Sequence, residues 1–318
     1  MDQETQIKKN DRRLSRTRVC LLIVALLVLC GSVGAYLYCE VWLPRMEAEE
    51  AARVAETKRI AEQNYGNRPL GKWDEKTAPP DVMLEKYAAL YEENSDLRGW
   101  ISVPVFDIEL PIMRGIDNEY YLRRSYSKSW SLAGTPFFDY RITDFGTLPR
   151  NTVVYGHNMR RNDIMFGVFQ NIRTVEGFQK CPVIEVDTIY REYRWFVYAV
   201  FIANPYESQD NGYFFPYNFI DTTNQSFEEY IKEIDKRKLY TTGVELTPQD
   251  KILTISTCCY DFRYARLVVV ARLQRKNETN IPDTSLAVSN PNPKYPQAWY
   301  DAKRQTNPFA DDSRWFPD

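Results

Sequence analysis

The sequence predicts a mainly β globular domain, a barrel or a sandwich, that follows one membrane-spanning helix. Residues 19–39 form a long apolar run without charge, and after Trp100 apolar residues recur with a period near 2. Alternating runs of this kind are typical of strands with one buried face. A content of 44% hydrophobic and 14% aromatic residues indicates a packed core rather than disorder. The strand-like runs lie at residues 152–155, 183–186, 195–202, 252–255 and 267–273.

Composition and charge exclude several classes of protein. The chain has 318 residues, with 41 Lys and Arg against 43 Asp and Glu, so the formal net charge is −2. This balance lacks the basic excess of a nucleic-acid binder. Six cysteines are too few for a dense disulfide scaffold, and the single histidine, His157, excludes any site that needs two imidazoles. We therefore expect no metal site and no nucleic-acid partner.

The apolar run at residues 19–39 is long enough to cross a membrane. Its 21 residues would span about 31 Å as a helix, close to the ~30 Å of a bilayer core. The alternative is a cleaved signal peptide, whose apolar region usually runs about 7–15 residues. Because this run is longer and ends without an Ala-x-Ala site, we favour an uncleaved anchor. The basic residues before it place residues 1–18 in the cytoplasm and the rest of this single-pass protein outside the cell.

The exported part divides into three regions. Residues 40–80 read as a helical stalk followed by a Pro-containing linker, and residues 81–275 as the globular domain. Within that domain, Ser226 and Glu229 form a predicted capping box ahead of an amphipathic helix over residues 227–237. Residues 276–318 carry six prolines among scattered Asn and Asp, so we expect a poorly ordered tail.

A strand that ends on two cysteines contains the best candidate nucleophile. Alternation places Cys258 on the polar face of this strand and Cys259 on the apolar face. A loop over residues 261–265 would make Cys258 face Val268 across a hairpin, with Arg266 as its diagonal neighbour about 7–8 Å away. A one-residue change in register would turn Arg266 away and leave Arg263, inside the loop, as the rival cation.

His157 directly follows the strand-like run at residues 152–155 and a glycine. Taken alone, a single His or a single Cys is more often structural than catalytic. The combination of a His after one strand, a Cys on the polar face of another and an Arg beside it is a stronger signal. It indicates a cysteine nucleophile with an acid–base partner.

These residues resemble a known family. Tyr155-Gly-His157-Asn158, Thr254-Ile-Ser-Thr-Cys258 and the following Arg266 resemble the His, T-L-x-T-C and Arg motifs of sortases, with Ile255 in place of the usual Leu and an unusual second cysteine at Cys259. The resemblance covers residues 82–275. It implies a closed β-barrel with an N-terminal helix and a long helix inserted before the Cys strand. The segments that resemble class B sortases lie at residues 94–101, 117–122, 133–141 and 227–244.

The resemblance also implies a reaction. Members are transpeptidases of the Gram-positive cell surface, and class B members often take C-terminal sorting signals that resemble Asn-Pro-x-Thr-x on exported proteins. Cys258 would attack the Thr carbonyl, His157 would exchange protons with the amines, and Arg266 would hold the substrate or its oxyanion. The acceptor would be the amine of a peptidoglycan precursor or of a pilin lysine. No cofactor is implied.

Five further residues are candidates for substrate binding: Ser256, Thr257, Leu122, Asn118 and Tyr240. Ser256 and Thr257 adjoin the nucleophile, and the alternative for them is an ordinary strand role. Leu122, four residues after Asn118, resembles a pocket-lining position, although core packing is its alternative. Tyr240 and the helix at residues 227–237 would form a wall of the groove.

Two rival functions remain open at the level of sequence. A membrane-tethered cysteine hydrolase needs the same Cys258 and His157 but uses water as the acceptor. A silent surface-binding module needs neither side chain to react. A papain-like enzyme is disfavoured, because its Cys opens a helix whereas Cys258 ends a late strand.

Overall fold

A computed structural model describes residues 16–71, 79–159 and 165–318. The chain divides into two units, residues 1–50 and 51–318. Most of the predicted cytoplasmic segment, and part of the predicted linker, lie outside the described residues.

The described part of the first unit, from residue 16 onward, is helical. Helix α1 spans Arg16–Leu37, a π-helical turn spans Tyr38–Trp42, and helix α2 begins at Leu43 and runs to Tyr65. Helix α1 is long and apolar enough to cross a membrane, and its apolar side chains are exposed. Its 22 residues correspond to about 33 Å of helix. This agrees with the predicted apolar helix.

The second unit is built on a closed barrel of eight strands, so the prediction of a mainly β closed barrel is confirmed. Around the barrel the strands follow the order β1-β2-β3-β4-β8-β9-β6-β5. Two neighbouring pairs, β2 with β3 and β4 with β8, are parallel. The strands are β1 (Leu97–Val103), β2 (Ile108–Met113), β3 (Phe137–Phe138), β4 (Asn151–Tyr155), β5 (Val183–Thr188), β6 (Arg194–Ala203), β8 (Ile252–Cys258) and β9 (Arg266–Leu273).

Alternating residues of the strands fill the barrel. Leu253, Ile255, Leu267 and Val269 are almost fully buried in one core cluster, and Cys259 joins them. The opposite face of the same strands packs against a second cluster that contains the inserted helix. Both faces of β8 are therefore buried along most of its length, and the strand opens to solvent only near its carboxyl end.

The inserted helix, α5, spans Asn224–Arg237, close to its predicted bounds. Its cap differs from the prediction. The hydroxyl of Thr223, rather than Ser226, accepts from a backbone N–H at the start of the helix, that of Ser226 at 3.3 Å. Phe227, Tyr230 and Ile234 are fully buried, as the amphipathic pattern predicts.

Five shorter elements complete the α-helices and strands of the described residues. Two-residue strands β7 and β10 form a separate sheet outside the barrel. One short helix precedes β1, one lies between β4 and β5, and one lies in the tail. Their bounds are α3 (Ala88–Glu93), α4 (Val175–Lys180), α6 (Gln297–Lys303), β7 (Tyr240–Thr241) and β10 (Val288–Ser289).

The segment after Lys276 differs from the poorly ordered tail that we expected. The Trp315 side chain is 5% exposed, and its ring centroid lies 5.0 Å from that of Tyr230 on α5. Its indole N–H donates to the Ser226 carbonyl at 3.0 Å. Pro and Asn disfavour regular local structure, but aromatic contacts with residues distant in the chain fix this segment on the barrel.

Candidate active site

Cys258 ends β8, where the strand reaches solvent, and its side chain is half-buried. It pairs with Arg266 directly across the hairpin, while Ser256 faces Val268. The predicted register, which placed Cys258 opposite Val268, is therefore wrong by two residues. A longer loop than predicted, residues 259–265, accounts for the difference. A shift of two preserves the face of each side chain, so Arg266 still lies beside Cys258.

The guanidinium of Arg266 contacts the sulfur. Its Nη1 lies 3.1 Å from the Sγ atom of Cys258 and donates to the Tyr264 carbonyl at 3.0 Å. The rival cation, Arg263, instead lies against the Tyr264 ring, with 4.7 Å between its guanidinium carbon and the ring centroid. The guanidinium thus places a positive charge against the sulfur, the atom that would act as the nucleophile.

His157 follows β4, and the parallel pairing of β4 with β8 brings it to the same end of the barrel. Tyr155 pairs with Ser256, so His157 and Cys258 each lie two residues beyond one paired position. The Asn158 amide donates to the Cys258 carbonyl at 2.7 Å, which ties the His loop to the Cys strand. Cys258, His157 and Arg266 thus meet at one end of the barrel.

The imidazole of His157 is held in one orientation. Its Nε2 donates to the Leu122 carbonyl at 2.8 Å, which leaves Nδ1 as the ring nitrogen that exchanges a proton in this geometry. Burial lowers the pKa of His157, and the positive charges of Arg123 and Arg266 lower it further, while the bond to Leu122 opposes them. The lowered pKa favours the neutral imidazole, the form that acts as a base.

The five predicted substrate-binding residues have different surroundings. Ser256 is buried, and its hydroxyl lies 3.1 Å from the Tyr217 hydroxyl. Thr257 is buried as well and, by alternation, belongs to the opposite face of β8 from Cys258. Neither side chain lines an open groove in this structure. Leu122 is half-buried and meets the site through its backbone carbonyl on His157.

Asn118 and Tyr240 have structural partners. The Asn118 amide donates to Asp139 at 3.1 Å, and its oxygen accepts from the Tyr140 N–H at 2.9 Å. Tyr240 is 1% exposed, and its hydroxyl donates to the Ile172 carbonyl at 2.5 Å. The prediction that Tyr240 forms a wall of the groove is therefore corrected, because a ring buried in the barrel core has no surface to offer a substrate.

Residues that sequence reasoning missed support the three central side chains. Gln170 is a second amide donor to the Cys258 carbonyl, at 3.3 Å. Tyr260 donates to the Asn158 carbonyl at 3.1 Å, so the loop after Cys258 is also tied to the loop after His157. Asn158 directly follows His157, so its supporting role could have been proposed from the sequence. Gln170 lies in a region without a motif and carried no signal.

Comparison with known proteins identifies the family of the chain. Residues 101–274, more than half of the chain, match the sortase domain family. The chain is 31% identical over 189 residues to sortase B of Listeria monocytogenes, which covers 59% of this chain and 73% of that protein. It is 29% identical over 207 residues to sortase B of Staphylococcus aureus, covering 64% and 78%. The structure of a Staphylococcus aureus sortase B–substrate complex aligns with a TM-score of 0.62 at 22% identity, covering 74% of this chain and all of that one.

The chain therefore belongs to the sortase family, whose members are cysteine transpeptidases. Both curated relatives named above are sortase B proteins, and the fold matches that of a solved sortase B, which places the chain among the class B sortases.

Proposed function

We propose that this protein is a membrane-anchored transpeptidase that attaches exported proteins to the cell wall. It cleaves a C-terminal sorting signal that resembles Asn-Pro-x-Thr-x and transfers the new carboxyl end to an amine. The amine belongs to a peptidoglycan precursor or to a pilin lysine. A Staphylococcus aureus sortase B of similar fold forms a complex with its substrate, and the motifs shared with class B sortases support a substrate of this kind for the present chain.

The proposed chemistry assigns one role to each central side chain. The Cys258 sulfur adds to the Thr carbonyl carbon, and the tetrahedral intermediate collapses to a thioester as the C–N bond breaks. Nδ1 of His157 gives a proton to the departing amine and later accepts a proton from the incoming amine. Arg266 stabilises the thiolate and then the oxyanion. The acceptor nitrogen finally displaces Cys258, which restores the free thiol.

One observation carries this proposal: Nη1 of Arg266 lies 3.1 Å from Sγ of Cys258, at the strand end where the His157 loop is hydrogen-bonded to the Cys258 carbonyl. A silent binding module has no need for a cation against a thiol. The contact therefore favours a reactive cysteine over the silent alternative.

Helix α1 supports the anchoring part of the proposal. It presents apolar side chains on all sides, and it follows a basic N-terminal segment in the sequence. We infer a single pass with the N-terminus in the cytoplasm and the barrel outside. Protease treatment of intact cells tests this orientation: digestion of the barrel supports it, and protection of the barrel until the cells are lysed contradicts it.

Product analysis tests the reaction. The full chain in detergent is incubated with peptides that contain sorting signals, with and without triglycine, and the products are identified by mass spectrometry. We expect a product joined to triglycine in the wild type, none from Cys258→Ala, and wild-type yields from the matched variant Cys259→Ala. A free carboxylic acid as the sole product, even with excess triglycine, would identify a hydrolase instead.

A further inference from the structure

The loop that carries Arg266 to the sulfur is held in an unusual conformation. Nη1 of Arg266 donates to the carbonyl of Tyr264, so the guanidinium depends on where that carbonyl lies. Tyr264 has a φ of 66°, in the left-handed region that non-glycine residues seldom adopt. Such a backbone persists only when surrounding contacts fix it.

Contacts from the segment after β6 supply that restraint. The side-chain amide of Gln209 donates to the Arg263 carbonyl at 2.6 Å, one residue before Tyr264. The Tyr206 ring lies edge-on to the Tyr264 ring, with 5.7 Å between centroids and an angle of 86°. Gln209 thus holds the backbone of this turn, and Tyr206 holds the side chain of Tyr264.

The tail, in turn, holds this segment. The backbone N–H of Gln297, at the start of α6, donates to Asp210 at 2.8 Å. The guanidinium of Arg314 donates to the Asn211 carbonyl at 2.7 Å. The hydroxyl of Tyr213 donates to the Trp315 carbonyl at 2.8 Å. The match to the sortase family ends at residue 274, so the tail residues that make these contacts lie beyond the matched domain.

We propose that Gln209 is a positioning residue for Arg266 and that the tail holds Gln209 in place. The inference rests on the proposed function, since it assigns the tail a part in setting the active site. The tail acts through hydrogen bonds that are linked by neighbouring residues of the chain. Residues 297 and 314 donate to residues 210 and 211, Gln209 donates to residue 263, and Arg266 donates to the Tyr264 carbonyl.

A double-mutant cycle tests this coupling in the full chain. Gln209→Ala removes the donor, and Gln209→Glu keeps the shape of the side chain but replaces the donor by an oxygen. We expect each to lower kcat by roughly tenfold with KM nearly unchanged, a part of the ~100-fold that a misplacement of about 1 Å can cost. The exposed tail residue Gln305 provides the matched control, Gln305→Ala, which leaves kcat unchanged.

The decisive comparison uses the Arg266→Ala background. If Gln209 acts through Arg266, adding Gln209→Ala to Arg266→Ala lowers kcat no further. A full tenfold additional loss would show that Gln209 supports the fold independently of Arg266 and would overturn the proposal, as would an unchanged kcat in Gln209→Ala alone. For the tail, Arg314→Ala should lower kcat in the same direction, whereas Arg304→Ala should not.

A second readout keeps this test separate from the proposed reaction. The rate of Cys258 alkylation by iodoacetamide, followed by peptide mass spectrometry, reports on the sulfur without any sorting signal. We expect Gln209→Ala and Arg266→Ala each to slow alkylation, and the double variant to react no more slowly than Arg266→Ala. Should the wild type transfer no peptide while this pattern holds, the proposed reaction fails and the positioning role stands. Alkylation that is unaffected by Gln209→Ala contradicts the positioning role.

Discussion

At the scale of single residues, the chemistry of the site depends on how the charge of Arg266 acts on Cys258 and His157. Arg266 contacts the Cys258 sulfur, and its charge also helps to lower the pKa of His157. The same cation therefore contacts the nucleophile and favours the neutral imidazole. Transfer also needs the imidazolium to protonate a departing amine, so acylation should slow as the pH rises through the lowered pKa of His157. Together these requirements produce a bell-shaped pH profile.

The pKa of His157 can be measured directly, because the sequence has no second histidine. We expect its imidazole resonance to titrate below the ordinary value of 6.5. Arg123→Ala removes a positive charge that disfavours the imidazolium, so the pKa of His157 should rise. Arg124→Ala provides the matched control, because that guanidinium stacks on the Tyr120 ring, and a smaller shift is expected. An NMR titration with no difference between the two variants would contradict this electrostatic account.

Cys259 tests whether the two neighbouring thiols differ as the structure indicates. Burial raises the pKa of the Cys259 thiol, and the neighbouring Asp261 carboxylate raises it further. Cys259→Ala should leave peptide transfer intact and lower the free energy of unfolding by about 1 kcal/mol, the burial value of roughly one methylene-sized group. Denaturant unfolding and transfer assays measure the two effects. Loss of transfer in a stably folded Cys259→Ala protein would give this thiol a role in the reaction.

At the scale of elements, the alternation of side chains along a strand explains which features of the site could be predicted from the sequence. Alternation along β8 places Cys258 and Cys259 on opposite faces whatever the register, so their separation was predictable. The register was not, because it depends on the length of the loop at residues 259–265. Tyr240 was misplaced for a related reason: β7 has only two residues, too few to show a period. Non-local packing against the barrel decides where that ring lies.

Tyr240→Phe distinguishes a core role from a role in the groove. The hydroxyl of Tyr240 donates to the buried Ile172 carbonyl, and the substitution removes this buried hydrogen bond. We expect a loss of about 1 kcal/mol in the free energy of unfolding with unchanged KM for the peptide. Chemical denaturation and steady-state kinetics measure the two quantities. A raised KM without a change in stability would restore Tyr240 to the substrate groove.

At the scale of the whole molecule, the tail is part of the folded unit. Its composition resembles that of a flexible segment, and no local pattern predicts that Trp315 fills a gap among the rings of α5 and its neighbours. The barrel could be predicted from the alternation of apolar residues, and the apolar helix from the length of its run. The three central residues could be proposed from their motifs. The docking of the tail depends on contacts between residues far apart in the chain.

Trp315→Ala tests how strongly the tail is bound. Removing a buried indole leaves a cavity and breaks the hydrogen bond to the Ser226 carbonyl, so we expect a loss of about 3–5 kcal/mol in the free energy of unfolding. The neighbouring Phe316 is 63% exposed, and Phe316→Ala should change the free energy of unfolding by less than about 0.5 kcal/mol. Thermal and denaturant unfolding of both variants make the comparison. Equal stabilities for the two variants would mean that the tail is not docked as described.

The central claim is that Cys258 carries an acyl group between a sorting signal and an amine. Intact-mass spectrometry of the full chain, quenched with acid during turnover of a sorting-signal peptide, tests it most directly. We expect an adduct with the mass of the cleaved peptide's N-terminal part, located on Cys258, that disappears on adding hydroxylamine or triglycine. Efficient peptide transfer without any adduct on Cys258, or with undiminished rate in Cys258→Ala, would contradict it.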